Sequence, residues 1–339
     1  MYKDIHKKDY HKPSLFEWVG RNDINNGRLF QRIQLLDCLH LPDSLPPNSI
    51  VFLGFACDEG VRRNLGREGA AEGPESLRKA LCNIPLSGAG KEKIFWDAGD
   101  VLCVDQNLET SQHVLGEIIA ELRQRGAQVI VLGGGHEVSF GHFQGLIQPE
   151  GLDVINFDAH FDLRPLLSES EIGPLAKWSD EQSEEGKFGS SGTGFRQMSE
   201  YCKEKNIPWR YACLGVQPFG NTAALFDYAA TINTCFCLAD TMVQEPEKVH
   251  DALSHWLKSA NRIYLTLCLD VFSQADAPGV SAPQPLGLSP HALLPFFRHI
   301  LQSGKVIGFD VAELNPIHDR DNQTARLAAY FIAECIQYL

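Results

Sequence analysis

After Pro46-Pro47 the chain settles into a repeating pattern of apolar and polar positions. Short runs rich in β-branched and aromatic residues alternate with longer stretches of helical period. The short runs predict strands near Ile50–Ala56, Ile94–Trp96, Val129–Leu132, Leu152–Phe157, Tyr211–Val216, Cys235–Leu238, Ile263–Leu269 and Val306–Val311. The stretches between them predict helices over Glu75–Cys82, Thr110–Arg125, Val138–Ile147, Phe195–Lys205, Pro246–Ser259 and Ser289–Gln302. A last helix runs from about Gln323 to Gln337. Strands alternating with helices imply an α/β fold, a parallel sheet covered on both faces. The pattern does not separate an open doubly wound sheet from an eight-stranded barrel. In both, ligands sit at the C-terminal ends of the strands. The first 48 residues carry weaker signals, with a short helix expected over Phe30–Leu39. They read as an N-terminal extension (1–48) packing on one domain that spans 49–339.

Composition narrows the function. The chain has 339 residues, 44% of them hydrophobic, enough to build a large core. A formal charge of -13 argues against nucleic acid and anionic membrane surfaces as partners. No apolar segment is long enough to span a bilayer, and Met1–Pro13 is polar, without the apolar centre of an export signal. The ten cysteines form no C-x-x-C pair, which disfavours a zinc ribbon or a thioredoxin-type site. They fall in apolar runs, as at Cys57, Cys213, Cys235 and Cys237, and read as reduced core residues of a cytoplasmic protein. A small molecule is the expected partner.

The chemistry gathers at strand ends. The run Leu152–Phe157 leads into Asp158-Ala159-His160-Phe161-Asp162. In an extended segment Asp158, His160 and Asp162 share one face. Two carboxylates and an imidazole so placed suit a hard or borderline divalent cation. Gly133-Gly134-Gly135-His136-Glu137 follows the strand Val129–Leu132, and its glycines allow a sharp turn close to a ligand. The turn fits neither the dinucleotide nor the Walker spacing. Cys268 and Asp270 share a face at the end of another strand, and Glu313 ends the last. Any one of these is unremarkable as a polar loop residue; seven together are not. Between residues 166 and 194 lies a polar, Ser/Glu/Gly-rich stretch. Its Ser168–Lys187 part reads as a disordered surface insertion, and Ser190–Gly194 as a loop shaping the pocket.

With these residues in view, the sequence from about Val51 to Ala329 resembles the ureohydrolases: arginases, agmatinases and formimidoylglutamases. Asp158–Asp162 matches the D-A-H-x-D motif, and Gly134–Glu137 is similar to G-G-D-H-S. Asp270 matches the second acid of D-x-D, and Glu313-Leu314-Asn315-Pro316, with Asp319 and Thr324-Ala325, resembles the closing E-x-N/D-P motif. The resemblance implies a three-layer α/β/α fold around an eight-stranded, mainly parallel sheet. It also implies two manganese ions bridged by hydroxide, one held by His136, Asp158 and Asp162, the other by Asp158, His160 and Asp270. Trimers or hexamers are common in the family, which allows a homo-oligomer. Details most resemble formimidoylglutamase: Trp18 with Gly20–Asp23, Asp58–Asn64, Gly66–Ala70, Asp162–Pro165, Ser191-Gly192-Thr193 and Ala277–Pro283. That activity releases glutamate and formamide from N-formimidoyl-L-glutamate in histidine degradation.

On this resemblance Asp162 orients the attacking oxygen and Glu313 holds the cationic formimidoyl nitrogens. Arg63, Arg67, Arg164, Ser191, Thr193 and Arg196 are the candidates for binding substrate, the arginines because a guanidinium grips a carboxylate with two bonds. The sequence departs from the family in two places. Gly135 stands where the family has Asp before the metal His. Cys268 stands where it has the first acid of D-x-D, and a thiolate is a softer ligand that favours zinc or iron over manganese. The proton-shuttling His of arginases is not evident. Two alternatives follow: an agmatinase or other guanidino-acid hydrolase, and a metal-binding homologue whose catalysis Cys268 has impaired, holding one ion or another divalent metal. Arg-rich pocket loops argue against a cationic substrate such as agmatine.

Overall fold

The computed structural model describes residues 8–172 and 187–339. Most of the insertion expected over Ser168–Lys187 lies outside them. Ten strands form one sheet: β1 (Tyr10–His11), β2 (Ile33–Leu35), β3 (Ser49–Ala56), β4 (Ile94–Leu102), β5 (Gln128–Leu132), β6 (Leu152–Phe157), β7 (Trp209–Val216), β8 (Cys235–Leu238), β9 (Ile263–Cys268) and β10 (Val306–Ala312). The helices are α1 (Glu59–Arg63), α2 (Gly73–Leu81), α3 (Leu108–Gln124), α4 (Val138–Leu146), α5 (Gly194–Lys205), α6 (Ala223–Thr231), α7 (Ala239–Gln244), α8 (Pro246–Ser259), α9 (Pro290–Gln302) and α10 (Gln323–Ile336).

The sheet order is β1-β4-β3-β5-β10-β9-β6-β7-β8, with β2 also on β4. Among the described strands only β1 pairs antiparallel; the eight strands from β4 to β8 run parallel. The sheet is therefore open, not a barrel. Strand alternation sends Ile50 and Phe52 into one core with α2, α7, α8, α9 and α10. Val51, Leu53 and Phe55 enter a second core with α3, α4, α5 and α6. Each such side chain, fully withdrawn from water, contributes about 1.5–3 kcal/mol. Helix starts are set locally: Asn107 accepts from the Thr110 N–H, and Ser289 from the Ala292 N–H ahead of Pro290.

The N-terminal segment departs from expectation. Instead of a helix over Phe30–Leu39, a 3₁₀ turn at Leu29–Arg32 leads into β2, which pairs Ile33 with Phe95. The free edge of β4 has ladder groups to satisfy, and pairing with it outweighs the weak local helical preference. Tyr10 Oη donates to the Ala98 carbonyl at 2.8 Å and Trp18 Nε1 to Asp97 Oδ2 at 2.7 Å, tying the same segment to β4. The strand β4 also runs six residues past Trp96. Asp97 and Asp100 stay in it because buried Arg78 reaches them at 3.0 and 2.8 Å, and Glu17 at 3.2 Å. All ten cysteines are free thiols; Cys235, expected in the core, is exposed on the edge strand β8. Among the described residues no helix is long and apolar enough to cross a membrane.

Candidate metal centre

The four central strands β5, β10, β9 and β6 are neighbours, and their C-terminal ends carry His136, Glu313, Cys268 with Asp270, and Asp158 through Asp162. The Gly133–Gly135 turn is fitted against its surroundings. A Cβ on Gly134 would fall 1.9 Å from the Cys57 carbonyl oxygen, so only glycine lets the turn sit there. Glu313 grips this turn twice: its N–H donates to the Gly134 carbonyl, and its Oε1 accepts from the His136 N–H, both at 2.8 Å. Glu313 (φ 71°) and Asp162 (φ 49°) both hold left-handed backbone, which non-glycine residues adopt seldom. Glu313 follows β10 directly and Asp162 closes the loop that leaves β6, and at both the backbone turns a carboxylate back over the strand ends.

Asp158 is the hub. Its Oδ2 lies 2.9 Å from His136 Nδ1 and its Oδ1 3.5 Å from His160 Nδ1. Asp162 Oδ2 is also 2.9 Å from His136 Nδ1, and Asp270 Oδ2 is 3.0 Å from His160 Nδ1. The carboxylate of Asp158 is aimed by the His160 N–H at 2.7 Å and Asn156 Nδ2 at 3.0 Å. The imidazole of His136 is aimed from behind. Thr266 Oγ1 donates to Asp310 Oδ1 at 2.5 Å, so its lone pairs face His136 Nε2 at 3.1 Å and accept the Nε2 proton. Nδ1 is the nitrogen turned to the carboxylates of Asp158 and Asp162. Buried Asp310 also accepts from Tyr264 Oη at 2.5 Å and contacts His142 Nδ1 at 2.6 Å. Asn221 clamps the other side, accepting from the Phe161 N–H and donating to the Ala159 carbonyl.

The electrostatics fit a cation centre. Burial and the Asp158 charge push Asp162 up to about 6. Burial and Asp270 push Glu313 up to about 8. Burial also opposes ionisation of Asp158, but the hydrogen bonds from His136 and His160 outweigh it and hold that carboxyl below the usual range. Burial works against the His136 and His160 cations, and the facing carboxylates nevertheless raise both imidazoles. So many acids in a dry space are mutually unfavourable without cations. Asp270 Oδ1 and Glu313 Oε2 are buried with no hydrogen-bond partner, as donors reserved for another group would be. Ligand atoms of His136, Asp158 and Cys268 lie within 4.8 Å of one another, as do those of Asp158, His160 and Asp270. The donor set therefore fits two divalent ions.

A cavity of about 310 Å³ opens over these donors, and Arg67, Arg164, Ser191, Asn64, Asn221 and Ser281 are among its walls. The Arg164 N–H donates to the Gly192 carbonyl at 2.8 Å, and a Cβ on Gly192 would press on the Arg164 stem at 2.9 Å. Ser191 Oγ accepts from Asn64 Nδ2 at 3.0 Å. Arg67 spends part of its guanidinium on backbone, donating to the Val280 carbonyl and, at 3.0 Å, to that of Ser281. The other three candidates for the pocket are placed elsewhere. Arg63 is buried between Glu59 (2.8 Å) and Glu109 (2.6 Å), holding the Gly189 carbonyl. Thr193 closes its own turn, accepting from the Ser190 N–H at 2.8 Å. Arg196 pairs with Glu200 at 2.8 Å and lies 4.3 Å over the Tyr228 ring. Thr266, Asp310 and Asn221 are not among the candidates read from the sequence, and Asn64 enters there only as the end of the Asp58–Asn64 stretch. Thr266 had a readable signal, sharing the face of Cys268 and Asp270.

A model of the arginase family matches residues 48–337. A formimidoylglutamase of Legionella pneumophila is 41% identical over 99% of this chain and 99% of its own. The solved structure of formimidoylglutamase from Bacillus subtilis has TM-score 0.77 at 21% identity, covering 94% of both chains. A Trypanosoma cruzi formiminoglutamase variant solved with Mn2+ has TM-score 0.69 at 26% identity, covering 85% of this chain and 92% of that one.

Proposed function

The chain belongs to the arginase family, and from that premise we propose that it is a formimidoylglutamase, hydrolysing N-formimidoyl-L-glutamate to L-glutamate and formamide. The observation that carries this reading is the convergence of His136, Asp158, His160, Asp162 and Asp270 beneath a cavity walled by Arg67 and Arg164. His136, Asp158 and Asp162 would hold one divalent cation, and Asp158, His160 and Asp270 the other. When bound, such cations acidify water so that a nucleophile exists at neutral pH.

The side chains do the rest. Asp162 accepts a hydrogen bond from the attacking water and fixes its direction. Glu313 accepts from the formimidoyl N–H groups and sets the amidine carbon beside that water. Arg164, with what remains of the Arg67 fork, receives the glutamate carboxylates, and Ser191 and Asn64 supply neutral hydrogen bonds beside them. Oxygen adds to the amidine carbon, the bond from that carbon to the glutamate nitrogen breaks, and the nitrogen leaves carrying a proton.

The test is incubation of the manganese-loaded chain with N-formimidoyl-L-glutamate, and separately with agmatine and arginine. Formamide and glutamate in equal amounts are expected from the first, with no urea from the others. Urea from agmatine without formamide release would replace this reading with a guanidine hydrolase.

A further inference from the structure

The two metal positions do not have the same donors. We propose that Cys268 Sγ is a ligand at the position of His136 and Asp158, which makes that position soft, while the position of Asp158, His160 and Asp270 stays hard. This rests on reading the site as a hydrolase with two cations. Three observations carry it.

Cys268 is the last residue of β9 and is 1% exposed, yet it forms part of the cavity wall over the donors. Its neighbours Leu265 and Leu267 point into the opposite core, whereas Thr266, on the Cys268 face, touches His136. Strand alternation thus delivers the sulfur to the His136 side of the centre. Its ligand atom lies within 4.8 Å of those of both His136 and Asp158. The adjacent position is completed differently: Asp270 Oδ1 is buried and unpartnered, and the ligand atoms of Asp158, His160 and Asp270 cluster without sulfur.

A sulfur in place of one carboxylate changes which metals compete well. Imidazole, carboxylate and thiolate together suit zinc, cobalt(II) or iron(II), whereas carboxylates with one imidazole suit manganese. On binding, the thiol proton passes to solvent and the sulfur donates a lone pair; no oxidant or reductant is involved. The centre is thereby built for two unlike ions, with the softer one at Cys268.

Cobalt(II) reports the ligand directly, because a cobalt–thiolate bond gives an intense charge-transfer band in the near ultraviolet that oxygen and imidazole ligands do not. The metal-free full-length chain is titrated with cobalt, bound metal is counted, and formamide release is assayed on the same samples. The expected band rises to one bound equivalent and no further. It is lost in Cys268→Ser and in Cys268→Asp, both still holding cobalt at the second position and both checked for native circular dichroism. Bound cobalt without the band, or a band that survives both substitutions, overturns the sulfur ligand and leaves the hydrolase reading standing if formamide is released. The band without any formamide release from manganese- or cobalt-loaded protein removes the hydrolase reading instead. A chain that binds no cobalt overturns both.

Discussion

The carboxylate of Glu137 fills the space that a side chain on Gly135 would need. A Cβ built on Gly135 falls 2.1 Å from Glu137 Oε2. Glu137 is fully buried, its Oε1 accepting from the Gly60 N–H at 2.9 Å. The family pattern G-G-D-H-S places its acid before the metal-binding His and a small residue after it. This chain makes the reverse choice at the two positions, so a carboxylate is kept beside the turn by a different residue.

The exchange predicts strong coupling between the two sites. Gly135→Asp alone should destabilise by about 1–3 kcal/mol through overpacking. Adding Glu137→Ser should recover most of the loss, a coupling of about 0.5–3 kcal/mol. Urea denaturation of both single variants and the double variant measures it. Simple additivity would show that the two residues do not share one space.

Asp158→Ala should abolish formamide release and strip most bound metal. Its two oxygens face His136 and His160 separately, so its removal takes a donor from both positions at once. Metal content by atomic emission, read beside turnover, decides this. Normal values for both would remove Asp158 from the centre.

Arg164→Ala should raise KM for formimidoylglutamate about tenfold or more and leave kcat nearly unchanged. A charge-assisted bond is worth about 1.5–3 kcal/mol, and Arg164 lies in the cavity wall with its backbone fixed on Gly192. Steady-state kinetics with substrate and with a monocarboxylate analogue test the assignment. Equal KM in wild type and variant would place the substrate carboxylates elsewhere.

Arg78→Met should cost about 3–5 kcal/mol of stability, because Asp97, fully buried, loses its compensating charge. The turnover of the fraction still folded should be unaltered. A thermal midpoint equal to wild type would show that Asp97 is satisfied by the Trp18 and Gly99 N–H groups alone.

Much of this was legible in the sequence. The runs of the central strands are mainly apolar, broken by single polar residues such as Asn156, Thr266 and Asp310, so their bounds could be read nearly to the residue, and Leu152–Phe157 to the residue. The donors were legible because they follow those strands directly. What was hidden depends on partners distant in sequence. β2 exists because β4 has an edge, and β4 continues past Trp96 because Arg78 neutralises its acids. Helix α6 leaves no clear pattern in the sequence, since only Leu225 and Ala229 are buried in it, too few to mark a stripe. Arg63, Thr193 and Arg196 sit in pocket-like motifs, yet a motif does not say which way a long or small side chain turns. Nothing in spacing distinguishes a guanidinium bound to Glu109 from one waiting for a ligand.

The grip of Glu313 on the His136 turn spans 177 residues of chain. The contact is among the most non-local in the centre, so the donor set exists only when both ends of the domain are folded together. β10, the last strand in chain order, lies at the centre of the sheet between β5 and β9 and brings Glu313 to the donor set. Cations that bind only the completed set draw the equilibrium toward the folded chain, by about 2.7 kcal/mol at a hundredfold excess over Kd. Chelation should then lower resistance to protease across the whole domain, not only at the cavity, so that metal supply governs how long the protein survives as well as whether it works.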